Sequence, residues 1–282
     1  MISYPLAVGG IASRVLQSGL SGRAVIFIHG TGGRADRWMR NLDAIAERGY
    51  RAFAIDLPGH GFAAKGGELD HSVPAYAQFV SNFIAQSDLD EVTLVGTSLG
   101  GHVAATCAAN APDRVRSIVL VGSMGLVPIG EEARGRIQRG ASNQTREGVA
   151  MKLRRVIFDA AIVTPAFEEE EFRVNNSPGA QESFDRLGHY IGERGDIDVV
   201  GDRVVEMSAT KPVLLVWGDK DQTVPLEVGR RVREQLPKAQ LVVIPDASHT
   251  AYFEKPEIFN HALVQFLEEG RVASVGEGVQ LI

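Results

Sequence analysis

Six short apolar runs, rich in β-branched residues, recur along the chain: AVIFIH at 24–29, AFAID at 52–56, VTLVG at 92–96, SIVLVG at 117–122, PVLLVWG at 212–218 and LVVIP at 241–245. They lack the apolar/polar alternation of a half-exposed strand, so they read as strands buried on both faces, the habit of a parallel sheet. Between most of them lie segments whose apolar residues recur at helical spacing: DRWMRNLDAIAERG, SVPAYAQFVSNFIAQSD, LGGHVAATCAANAPD, LEVGRRVREQLPK and PEIFNHALVQFLEEG. Parallel strands need a crossover between them, and a helix supplies it. The alternation therefore predicts an α/β fold with a mostly parallel, doubly wound sheet, with leading antiparallel strands expected before AVIFIH.

The alternation fails between Met124 and Met207. There EEARGRIQRG, GVAMKLRRVIFDAA, EEEEFRVNN and QESFDRLGHYIGERG suggest short helices separated by Gly, Pro and Ser. The expected organisation is a core over residues 1–123 and 208–268, a helical cap or lid over 124–207, and a tail or packing arm over 269–282. An insertion at that point lies above the carboxyl edge of the sheet, where α/β proteins bind ligands.

Composition narrows the class of function. With 44% hydrophobic and 23% charged residues, the 282-residue chain can bury one large core. A net charge of −6 without a long basic run speaks against nucleic acid or an anionic membrane as partner. The single cysteine, Cys107, excludes an internal disulfide framework and a cysteine-rich metal site, and fits a reducing compartment. No secretory signal or membrane span is expected, so the reading is a cytoplasmic protein acting on a small molecule, with homo-oligomerisation left open.

The chemistry starts at GTSLGG, residues 96–101, where the strand VTLVG runs through Ser98 straight into a helix. This is the context of a nucleophile elbow, in which the turn beneath the serine is so tight that Gly96 and Gly100 have no room for a side chain. A serine in this place could also be a plain helix N-cap. A nucleophile would need a base, and His249 stands in the loop after the last apolar strand, at the same sheet edge as Ser98. Its rivals are less well placed: His261 lies within a helix, His189 in the lobe, His29 and His60 in glycine turns, and His102 one turn beyond the serine. The acid that orients the imidazole is expected after VLLVWG, where Asp221 is preferred and Asp219 held in reserve; Asp246 reads as a turn former. The glycine-rich HGTGG at 29–33 can aim a backbone N–H across the site, with the N–H of Leu99 as second oxyanion donor. It does not fit a phosphate loop, and no residues have metal-ligand spacing, so neither cofactor nor metal is expected.

HGTGG, DLPGHG, GTSLGG, WGDKDQTVP and ASHTAYFEKP stand in the order of the α/β-hydrolase fold superfamily, which the chain resembles from about Ala24 to Leu267. Within it, HGTGGRADRWMRNL and the lobe segment TREGVAMKLRRVIFDAAIVTPAFEEEEFRVNN are similar to the carbon–carbon hydrolases that cleave meta-ring-fission products of aromatic degradation. The resemblance implies an oxyanion donor at the N–H of Thr31 and a polar subsite of Arg173 and Asn41 for the substrate's acidic end. Gly30, Thr97 and Thr250 are further positions expected to face the substrate. Thr97 replaces the asparagine common in that group, Thr250 a tryptophan, and Arg34 part of a Gly-Pro-Gly. The implied activity is a serine hydrolase acting on a C–C bond of a 2-hydroxy-6-oxo-dienoate, with a carboxylic ester, lactone or amide as the alternative. A non-catalytic ligand-binding protein and a cofactor-free oxygenase are the readings from other classes.

Overall fold

The computed structural model describes residues 1–282. Strands β1 (Ile2–Val8) and β2 (Ile11–Ser18) lead, followed by β3 (Ala24–Ile28), β4 (Arg51–Ile55), β5 (Val92–Thr97), β6 (Val115–Val121), β7 (Val213–Gly218), β8 (Gln240–Ile244) and β9 (Gln280–Leu281). They form one sheet in the order β1-β2-β4-β3-β5-β6-β7-β8-β9. Strands β3 to β8 pair in parallel, while β1, β2 and β9 join antiparallel at the two edges.

Helices α1 (Met39–Ala46), α2 (Val73–Gln86) and α3 (Leu99–Asn110) alternate with the early strands. Five more separate β6 from β7: α4 (Glu131–Ser142), α5 (Arg146–Val156), α6 (Pro165–Asn175), α7 (Ala180–Arg194) and α8 (Gly201–Ser208). Helices α9 (Leu226–Gln235), α10 (Ala251–Glu254) and α11 (Pro256–Glu269) complete the chain. Local chemistry marks several starts. Ser72 accepts the N–H of Ala75 at 3.3 Å ahead of α2, and Thr164 accepts that of Phe167 at 3.2 Å ahead of α6, with a proline inside each first turn.

Successive residues of a strand point to opposite faces, so each central strand feeds two cores. Ile26 and Ile28 of β3 join Val80 and Phe83 of α2 and Val103 of α3 on one face. Val25 and Phe27 join Leu42 of α1 and Phe259 and Leu263 of α11 on the other. This is why the central strands are apolar throughout. Helix α8 packs against α3, with Val204 and Met207 in the first core, so the chain has rejoined the helix layer by Gly201. The C-terminal arm pairs with β8 through β9 and buries Val272.

The carboxyl ends of β3, β5, β7 and β8 deliver His29, Ser98, Asp221 and His249 to the same edge of the sheet. Since β5 is the strand from which Ser98 projects, its packing underlies the site. Leu94→Ala, at a fully buried position of β5, should lower the unfolding free energy by about 2–5 kcal/mol, read from the denaturant midpoint at unchanged slope.

Candidate active site

Ser98 occupies a backbone conformation that L-residues rarely adopt, φ 55° and ψ −120°, which costs about 1–3 kcal/mol unless its surroundings enforce it. They do so by close backbone approach. A Cβ on Gly96 would stand 2.2 Å from the carbonyl oxygen of Gly100, and one on Gly100 would stand 2.3 Å from that of Ile28. The Ser98 N–H donates to Val121 O at 3.0 Å, and its carbonyl accepts from Gly101 and His102 at 3.0 and 3.2 Å. Its side chain makes no capping bond to α3, so the serine is not acting as a helix cap. The hydroxyl instead lines a cavity together with His249.

His249 Nδ1 lies 2.8 Å from Asp221 Oδ2. The other carboxylate oxygen accepts the N–H groups of Thr223 and Val224 at 2.8 and 2.9 Å. Fully buried and fixed at both oxygens, Asp221 can hold an imidazole in one orientation. Asp219 turns away to pair with Lys220 at 2.8 Å, and Asp246 takes φ 49° in a turn.

The loop after β3 is shaped by His29, which the sequence marked only as a glycine-turn histidine, and by Asp56. His29 donates from Nδ1 to Gly30 O at 2.9 Å and accepts the N–H of Leu57 at Nε2 at 3.0 Å, and burial lowers its pKa. Asp56 accepts the N–H groups of Ala35 and Phe62 at 2.7 and 2.9 Å and pairs with Arg14 of β2 at 2.9 Å. Gly30 is thereby pressed onto the elbow: a Cβ there would meet Ser98 Cβ at 3.0 Å. Thr31 borders the cavity next to it, and Leu99 opens α3 with an N–H that has no acceptor within the helix. His102 donates to or accepts nothing at the cavity; its Nε2 donates to Asp198 O at 2.8 Å.

Gly30, Thr31, Thr97 and Thr250 all line the cavity. Arg173 and Asn41 do not, and the polar subsite placed on them has to be corrected. Arg173 lies on the outer face of α6, 76% exposed and paired with Glu169 one turn earlier at 2.6 Å. Asn41 is buried in the α1 and α11 interface, where it donates to Tyr252 O at 3.1 Å and Asn260 Oδ1 at 2.8 Å. The α6 residue that faces inward is Glu171, two positions before Arg173. Around it gather Arg34, Arg37 and Lys152 at 2.7, 2.8 and 3.5 Å. Burial alone would raise the Glu171 pKa, but Arg37, Lys152 and Arg34 outweigh it and hold the carboxyl at about 2. Burial lowers the pKa of Lys152. Tyr252, stacked on Trp38 at 3.8 Å between ring centres, completes this wall. Lys152 and Glu171 stand within the lobe segment and Tyr252 within ASHTAYFEKP, but nothing in their residue types or spacing singles them out as cavity residues. No group of three or more His, Cys, Asp or Glu is arranged to hold a metal ion.

The lid is tied directly to the histidine loop. Ser248 Oγ donates to Arg155 O at 2.9 Å, and the Thr250 N–H and hydroxyl donate to Val156 O at 3.1 and 3.0 Å. Beneath them Glu254 accepts the N–H groups of Ser248, Phe158 and Asp159 at 2.9, 2.6 and 3.2 Å. Burial raises its pKa, and the accepted N–H groups act in the opposite direction.

A parallel central sheet with a glycine-braced serine at the β5 to α3 turn defines an α/β hydrolase. The chain belongs to the alpha/beta hydrolase fold family, which matches residues 23–256. It is 32% identical over 92% of its length to the dihydrolipoyllysine-residue acetyltransferase component of the acetoin cleaving system of Cupriavidus necator, covering 67% of that protein. It is 29% identical to the 2-hydroxy-6-oxononadienedioate/2-hydroxy-6-oxononatrienedioate hydrolase of Burkholderia vietnamiensis, over 89% of this chain and 88% of the relative. A solved structure of the meta-cleavage product hydrolase of Pseudomonas fluorescens shares the fold with a TM-score of 0.84, 24% identity, and coverage of 95% of this chain and 98% of that one. The protein is thus an enzyme of the α/β-hydrolase family acting on a small molecule, and no helix is long and apolar enough to cross a membrane.

Two outcomes follow from the ion cluster and the clamp. The Glu171 pKa is about 2 in the fold against an ordinary 4.5, so its stabilisation is complete above pH 4.5 and is lost as pH falls towards 2. Glu171→Gln should therefore melt lower at pH 7 and lose less Tm than the parent across that acidic window. Glu254→Gln weakens one buried and two part-buried hydrogen bonds and should cost about 1–3 kcal/mol, with faster tryptic cutting after Arg154 and Arg155; an unchanged cutting rate would show that Glu254 does not hold the lid.

Proposed function

We propose that this chain is a cofactor-independent serine hydrolase with Ser98 as nucleophile, His249 as general base and Asp221 as the acid that orients it. The N–H groups of Thr31 and Leu99 form the oxyanion hole. The observation that carries this reading is the 2.8 Å contact between buried Asp221 and His249 Nδ1, on the cavity that the strained Ser98 also lines. With Nδ1–H donated to Asp221, the lone pair of Nε2 is free to take the Ser98 proton. Attack on a substrate carbonyl places negative charge on its oxygen, beside the first turn of α3, where unpaired N–H groups and the helix dipole stabilise it. Collapse expels the leaving group, which His249 protonates, and water then releases the acyl group by the same steps.

The bond cleaved is proposed to be the C–C bond of a 2-hydroxy-6-oxo-dienoate type of substrate. Similarity to the Burkholderia vietnamiensis hydrolase over most of both chains supports it. A carbon leaving group departs only if it can carry the electron pair, so the dienol must first ketonise, a proton transfer that the triad assists. The second reading is an ester or other acyl substrate, favoured by the 32% identity to an acetyltransferase component. Both readings use the same acyl-enzyme and differ in the group expelled.

Ser98→Ala and His249→Ala should each reduce kcat by about three or more orders of magnitude, and Asp221→Asn by about four. A coloured ring-fission dienoate assayed beside nitrophenyl esters of several chain lengths tests the bond. Loss of dienoate colour with Ser98→Ala inactive supports C–C cleavage; turnover of esters alone selects the second reading, and full activity of Ser98→Ala refutes the nucleophile.

A further inference from the structure

The lining of the cavity carries more cationic than anionic side chains. Glu171 is the common anion for Arg34, Arg37 and Lys152. Arg34 has its own partners, Asp36 and Glu170, each at 2.9 Å. At the cavity surface itself Arg37 and Lys152 share the single carboxylate of Glu171. Arg136 and Arg155 also line the cavity, near its exposed rim, and add to the same sign.

The donors of that lining are incompletely used. Lys152 Nζ is sealed from solvent with no hydrogen-bond acceptor, its nearest carboxylate oxygen standing 3.5 Å away. Arg37 Nη1 is likewise buried without an acceptor, as are the hydroxyls of Thr31 and Thr223, which border the same cavity. A buried ammonium or guanidinium N–H without an acceptor is costly, so a fold keeps one only where something else completes it. The position is specific as well. Lys152 Nζ would lie 2.6 Å from a Cβ on Gly32, so the ammonium rests on the glycine loop two residues beyond Gly30, which touches Ser98.

We propose that Lys152, with Arg37 beside it, is the receptor for a carboxylate carried by the acyl substrate, and so sets the enzyme's preference for compact anionic substrates. This rests on the serine hydrolase reading of the cavity and adds to it the residue that recognises the substrate's charge. Two adjacent cations with free donors match the paired oxygens of a carboxylate. The cavity of about 110 Å³ is narrow enough to bring a short acyl chain against both cations. Arg173, on the outside of α6, takes no part.

The test compares mono-4-nitrophenyl glutarate, an ester bearing a free carboxylate, with 4-nitrophenyl butyrate, its uncharged counterpart. The wild-type enzyme should favour the half-acid ester in kcat/KM, and Lys152→Met should reduce the ratio of the two values at least tenfold, largely through KM. Lys152→Arg should restore part of it. In parallel, calorimetric titration of glutarate should show binding to Ser98→Ala and loss of binding in Lys152→Met. A wild-type enzyme that prefers the butyrate ester, a ratio unmoved by Lys152→Met, or equal glutarate affinity in both variants overturns the proposal. The wild-type comparison decides even if Lys152→Met does not fold. An active Ser98→Ala would instead strike at the nucleophile, and glutarate binding would still judge Lys152.

Discussion

The close approach of backbone at the β5 to α3 turn is the constraint on which the site depends. Ser98 is held at φ 55° between Gly96 and Gly100, two residues to either side, where the carbonyls of Gly100 and Ile28 occupy the space that a Cβ would need. The strain is sustained by the rigid parallel strands below, which are packed on both faces. A looser sheet would let the turn relax, and the hydroxyl would fold back as an ordinary helix cap. Because the elbow presses on Gly30, it also fixes the loop after β3, which Asp56 and His29 hold from behind.

The lid is connected to this frame through two kinds of contact. Neutral and charged hydrogen bonds join the end of α5 to the histidine loop through Ser248, Thr250 and Glu254. A buried ion cluster joins α5 and α6 to the loop after β3 through Lys152, Glu171, Arg34 and Arg37. Taking so many charges out of water is expensive, and breaking one partner away leaves the others uncompensated, so the cluster enforces one lid position more than it adds stability. Its charges also set the electrostatic character of the cavity that the lid covers.

The fold was legible in the sequence because its determinants are local and periodic. Apolar runs such as PVLLVWG and amphipathic segments such as PEIFNHALVQFLEEG announce a buried strand and a helix without reference to anything distant. Ser98, Asp221 and His249 could be nominated for the same reason, each standing in the loop directly after a recognisable strand, where an α/β sheet gathers its functional groups. The polar subsite was not legible. On α6 the difference between Arg173 and Glu171 is two residues, or about 200° around the helix axis, and only the packing of the lid reveals which of them faces the cavity. A resemblance in segment and residue type favoured the arginine; the helix turns it to solvent and leaves the glutamate inside.

The sequence by itself determined the sheet, its alternation with helices, the glycine-braced serine and the loops from which an acid and a base could come, since each depends on residue type and spacing along a short stretch of chain. Tertiary structure alone decided which aspartate meets His249, that Asn41 serves a helix interface, and that Arg34 and Arg37 after β3 meet Lys152 and Glu171 of the lid to make a cationic wall. Those residues lie more than a hundred positions apart. Their meeting is a matter of how a lid seats on a sheet, which no local pattern of polar and apolar residues encodes.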